Sequence, residues 1–152
     1  MKNLSKLILV FASVFLGINT SQAQIPSKKD KASRAAEIKS LIDKKDFVFK
    51  ASKKSQSPNM QPYVAVSHDT LVVNLAGQTS SESVKFNGTH FGYQAAQNRK
   101  GDWDITIKPS TSMSDVKELT LAVMPTGHTS LHVIRSHGSP LSFVGYIKQE
   151  DY

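Results

Sequence analysis

From residue 99 the chain reads Arg-Lys-Gly-Asp-Trp-Asp-Ile-Thr-Ile-Lys-Pro, a tight turn followed by strict alternation. Trp103, Ile105 and Ile107 take one side of an extended run, while Asp102, Asp104, Thr106 and Lys108 take the other. Trp103 is the only tryptophan, so the alternation puts the largest apolar side chain on a buried sheet face.

The same pattern recurs on either side. Phe47, Phe49 and Ala51 share a face of a strand over 46–52. Tyr63 to Val66 and Thr70 to Leu75, around Ser67-His68-Asp69, predict a hairpin with Leu71, Val73 and Leu75 aligned. A short strand over Ser83 to Phe86 is expected to end at Asn87-Gly88, a pair suited to the left-handed positions of a two-residue hairpin turn. Further inner faces are marked by Phe91, Tyr93 and Ala95, by Leu119, Leu121 and Val123, and by Leu131 and Val133. Leu141, Phe143, Gly145 and Ile147 complete the series. A single helical turn is expected near Ser114 to Lys117, with turns at Pro125-Thr126-Gly127 and over 136–140. Turns at intervals of about 8–12 residues joining alternating strands predict a mainly β domain. The expected form is an antiparallel β-sandwich or partly open β-barrel of about eight strands.

One stretch keeps a different period. Between Lys31 and Lys45, Ala35, Ile38, Leu41 and Ile42 recur at three- and four-residue steps and predict an N-terminal amphipathic helix. Asp30 or Ser33 would cap its start, and Lys44-Lys45 suit the negative end of its dipole. Residues 24–30 read as a flexible leader and 149–152 as a tail, leaving a single helix-plus-β domain over 31–148. Ahead of the leader, Lys2 and Lys6 precede an apolar core from Leu7 to Ile18, and Ser21-Gln22-Ala23 offers small residues to a signal peptidase. Residues 1–23 are therefore expected to be a cleavable signal peptide. The apolar core is too short for a spanning helix, and no cysteine stands at the junction to take a lipid. The expected location is periplasmic or secreted.

Charge and cysteine content narrow the partners. The 152 residues carry a formal net charge of +7, but ten of the basic side chains fall between Lys28 and Lys54. Residues 55–152 hold seven basic and eight acidic side chains, so the β body is close to neutral. The basic character therefore belongs to the N-terminal segment, and the expected secreted address argues against a nucleic-acid partner. The helix could rest on anionic lipid, yet its apolar stripe is narrow and has no aromatic residue, so packing on the sheet is the stronger reading. With no cysteine there is no disulfide, thiolate nucleophile or cysteine-based metal site.

The remaining candidates for chemistry are weak. His128 and His132 are four residues apart near His137, but on a strand that spacing separates them by about 13 Å, too far to grip one ion. His68 and His90 occupy turn-like positions. Asp102 and Asp104 would lie about 7 Å apart, as glycosidase carboxylates do, but they read more simply as the wet face of a strand. There is no Gly-x-Ser-x-Gly elbow, no phosphate loop and no metal set, so no cofactor, no metal and no catalytic residue is expected.

Taken together the segments resemble the DUF4251 family, secreted Bacteroidetes proteins that have no assigned function. The resemblance rests on Phe47-Val48-Phe49-Lys50-Ala51, Asp69-Thr70, Phe91-Gly92-Tyr93 and the run from Lys100 to Lys108. Asp115-Val116, Leu119-Thr120-Leu121, Gly127, Leu131 and the run from Pro140 to Ile147 continue it. It implies a mostly β fold behind an N-terminal helix and brings no catalytic residues. Where the family carries a proline and aromatics after the third strand, this chain has Ala76-Gly77.

The functional expectation is a non-enzymatic binding module. A small apolar or amphipathic ligand would lie between sheet and helix, with Phe47, Phe49, Phe91, Tyr93, Trp103 and Phe143 as pocket candidates. The alternative is an envelope interaction domain that holds another protein through an outer face or an edge strand.

Overall fold

The structure, a computed structural model, describes residues 28–52, 61–75, 83–110 and 115–149. The expected signal peptide, the loops after Ala51 and Leu75, the departure at Ala76-Gly77 and the end of the tail lie outside the described residues.

One helix precedes nine strands. They are α1 (Lys28–Lys44), β1 (Asp46–Ala51), β2 (Tyr63–Ser67), β3 (Thr70–Leu75), β4 (Val84–Thr89) and β5 (Gly92–Gln97). β6 (Trp103–Lys108), β7 (Val116–Val123), β8 (His128–Arg135) and β9 (Leu141–Lys148) follow. All nine form one antiparallel sheet in the order β4-β3-β2-β1-β9-β8-β7-β6-β5, curled into a half-barrel. The partly open barrel is thus the form adopted, as a single sheet.

Three local expectations change. The helix begins at Lys28, so the last residues of the expected leader are helical, and Asp30 sits in the first turn rather than capping it. β7 already starts at Val116, where a helical turn was expected. The third change shapes the fold. Asn87-Gly88 is no turn: β4 runs through it to Thr89, with Asn87 opposite Val72 and Gly88 opposite Leu71. Pairing with β3 overrides the local turn preference of the dipeptide.

β4 and β5 are then separated by His90 and Phe91 alone. Every pairing in the sheet is antiparallel, so these two edge strands point the same way and the chain does not reverse between them. They are one extended run bent at His90, whose φ is 66°. The first half borders β3 and the second borders β6. The bend also switches parity: Val84 and Phe86 pack inward before it, Phe91 and Tyr93 after it. Using one run for both edges forces the sheet to curl.

The hollow of the half-barrel holds the helix. Ile38, Leu41 and Ile42 are buried in one core cluster with Phe47, Phe49 and Ile147, which continues through Ile105, Ile107, Leu119, Leu121, Leu131 and Val133. Each such side chain contributes roughly 1.5–3 kcal/mol through burial. Two glycines make the close packing possible. A Cβ on Gly145 would collide with the Lys50 carbonyl oxygen and stand 2.8 Å from the Ala51 Cα, so only glycine lets β9 lie this tightly on β1. Gly127, at φ 86°, turns β7 into β8 directly over the helix, where a Cβ would meet the Ile38 side chain at 3.0 Å. Its carbonyl accepts from the Ile147 amide at 2.9 Å and from the hydroxyl of the fully buried Thr129 at 2.9 Å. Among the described residues no helix is long and apolar enough to cross a membrane.

Candidate functional site

Strand register assembles a site at the C-terminal end of the helix. Asp46 lies opposite Ser67, Ser67 opposite Thr70, and Thr70 opposite Thr89, a single row across four strands. The residues just beyond that row are Lys45, His68, Asp69 and His90. With Phe91 they line a pocket of about 170 Å³. That volume is close to that of a cavity that holds one benzene-sized molecule.

Three of the five lining residues have left-handed backbones: Lys45 (φ 52°), His68 (φ 49°) and His90 (φ 66°). They are the only such residues other than glycine among the described residues. Each costs about 1–2 kcal/mol relative to an ordinary conformation. The surroundings explain each one. Lys45 ends the helix, with its amide donating to the Ile42 carbonyl at 3.1 Å. His68 opens the β2–β3 turn and donates its amide to the Lys45 carbonyl at 2.7 Å. His90 bends the edge run.

Among the described residues the polar groups of the pocket are only partly engaged. The Lys45 ammonium lies 5.3 Å from the centroid of the Tyr93 ring and makes no ion pair among the described residues. His90 Nδ1 shares a hydrogen bond with the Thr89 hydroxyl at 3.0 Å. The Tyr93 hydroxyl donates to the Ile42 carbonyl at 3.1 Å. Burial, and secondarily the charge of Asp43, push the Tyr93 phenol well above the usual tyrosine range, so it stays a donor. Asp46 keeps one buried carboxylate oxygen, Oδ1, without a hydrogen-bond partner.

The six aromatic candidates separate. Phe47 and Phe49 have no exposure and belong to the sealed core, and Trp103 is buried with the Lys39 ammonium 5.4 Å from its ring centroid. Phe91, Tyr93 and Phe143 are half-buried at the margin of the core. Phe91 lines the pocket and Tyr93 reaches it through Lys45, while Phe143 sits on β9 opposite Leu131. The six therefore do not enclose one cavity. Sequence reasoning missed Lys45, Asp69 and the two imidazoles as a group, and the signal that joins them is the hairpin register.

Other sequence candidates are engaged locally. Asn98 binds the Asp102 amide through its side-chain oxygen at 3.1 Å and donates to the Asp102 carboxylate at 3.2 Å. Asp102 thus belongs to the turn, and of the two carboxylates only Asp104 points outward from β6. His128 packs edge-on to Tyr146, His132 shares a hydrogen bond with Ser142 at 2.9 Å, and His137 Nδ1 lies 3.3 Å from the Asp115 carboxylate. No group of three or more His, Asp or Glu among the described residues could hold a metal ion. On the helix, Arg34 pairs with Glu37 at 2.7 Å and Lys39 with Asp43 at 2.6 Å.

A helix laid in the hollow of a curled antiparallel sheet defines a β half-barrel domain. The chain belongs to the DUF4251 family, a domain of unknown function, whose profile matches residues 29–147. No curated protein matches it.

Proposed function

We propose that this protein is a periplasmic or secreted binding module, not an enzyme, and that it takes a small amphipathic molecule where the helix ends against the sheet. The reading is carried by the pocket at Lys45, His68, Asp69, His90 and Phe91. It combines one aromatic wall with donors and an acceptor, the usual make-up of a site that orients a small ligand. Phe47, Phe49, Ile38 and Ile42 are packed against one another, so the ligand sits at the margin of the helix–sheet interface rather than deep within it. A thermal-shift screen of the purified protein against aromatic carboxylates, amino acids and short fatty acids tests this. A ligand that binds the native state raises Tm. The expected result is a rise with at least one class, abolished by Phe91→Ala. No rise across the panel contradicts the reading.

A second reading, an envelope interaction domain, is favoured by the outer face of the sheet. Val144 and Tyr146 on β9 are about half exposed, as is Met124 after β7. A protein partner recovered by cross-linking, and lost in the double variant Val144→Ser/Tyr146→Ser, would support that reading.

A further inference from the structure

The most exposed strand of the sheet is β5. Of Gly92–Gln97 only Tyr93 is even partly buried, and Ala95 and Gln97 are open to solvent although they point to the concave side. One edge of the strand pairs with β6 in unbroken register from Gly92–Lys108 to Gln97–Trp103. Its other edge has no partner among the described residues. An unpaired strand edge offers a row of amide and carbonyl groups to any extended chain, and proteins commonly blunt such edges with charge, proline or a bulge. β5 has none of the three: its sequence is Gly-Tyr-Gln-Ala-Ala-Gln and its register with β6 is continuous. The other edge strand, β4, carries Lys85.

We propose that β5 pairs antiparallel with β5 of a second copy of this chain, forming a two-fold symmetric dimer with a continuous sheet. The occupant follows from complementarity. A continuous sheet requires concave residues to face concave residues, so the two-fold axis must pass through a residue rather than between two. Centred on Ala95, the pairing sets Ala95 against its own copy, Gln94 against Ala96 and Tyr93 against Gln97. Small residues meet at the axis, the glutamines lie beside alanine or tyrosine, and no like charges are opposed, because the strand has no charge. The corresponding contact through β4 would bring Lys85 of each copy to the interface. One six-residue edge buries less than the roughly 1,000 Å² typical of a stable complex, so the dimer is weak and concentration-dependent.

Sedimentation velocity over a concentration series tests the proposal, using the parent and two double variants at exposed, outward positions that leave the core untouched. In Gln94→Lys/Ala96→Lys the proposed register opposes lysine to lysine twice. In Gln94→Lys/Ala96→Glu it opposes lysine to glutamate twice. The parent is expected to dimerise reversibly, the Lys/Lys variant to weaken at least about tenfold, and the Lys/Glu variant to dimerise as well as the parent or better. Circular dichroism melts check that both variants stay folded. A parent that remains monomeric at the highest concentration overturns the proposal. So does a dimer that survives in the Lys/Lys variant, or one lost equally in both variants.

Discussion

The Tyr93 hydroxyl donates to the Ile42 carbonyl at 3.1 Å, and this bond ties the second half of the bent edge run to the last turn of the helix. The Lys45 amide donates to the same carbonyl, also at 3.1 Å, so one oxygen anchors both the helix end and the edge strand. Tyr93→Phe is expected to lower stability by about 1 kcal/mol and to speed hydrogen exchange in β5 relative to β7 and β8.

The same phenol sets an alkaline limb. Burial holds Tyr93 neutral in the folded state above the range where an unfolded tyrosine ionises, about pH 10. Above that pH the unfolded chain binds fewer protons than the folded one, so stability falls as pH rises. The contribution is complete below about pH 10 and is lost above it. Denaturant melts across that range should show a steeper decline for the parent than for Tyr93→Phe, whose stability starts lower.

Gly145 tests the contact that joins the two halves of the sheet. A methyl group there meets the backbone of Lys50 and Ala51, which cannot swing aside as a side chain can. Gly145→Ala should cost about 1–3 kcal/mol through displaced strands, seen as a lower urea midpoint with little change in slope. A neutral outcome would contradict this close contact between β1 and β9.

Core and pocket aromatics should respond in opposite ways. Phe49 has no exposure and sits in the sealed core, so Phe49→Ala should cost about 3–5 kcal/mol. Phe91 is half-buried at the pocket, so Phe91→Ala should cost about 1–2 kcal/mol and remove ligand binding.

Lys45 separates strain from chemistry. Lys45→Gly relieves a left-handed residue but gives up the contact with Tyr93 and some chain entropy, so stability should stay within about 1 kcal/mol of the parent. Ligand affinity, read by calorimetry, should fall. A parallel loss of several kcal/mol in stability would assign Lys45 to the fold instead of the site.

The alternation around Trp103 made the strands and their inner faces legible, because a period of two is a local property. It gives the side on which a residue lies but not how deeply it is covered. For that reason Phe47 and Phe91 look alike in the sequence, although one is sealed in the core and the other lines a pocket. Asn87-Gly88 misled because β3 supplies hydrogen bonds that a turn would forgo. The site escaped notice for a related reason. Lys45, His68 and His90 are far apart in sequence and become neighbours only through the row Asp46, Ser67, Thr70 and Thr89.

Native mass spectrometry of the protein, purified under non-denaturing conditions from the cells that make it, tests the central claim most directly. A binding module should carry a discrete small added mass, lost on gentle activation and absent from Phe91→Ala purified in the same way. A clean apo mass for the parent, with no added species under the mildest conditions, would contradict it.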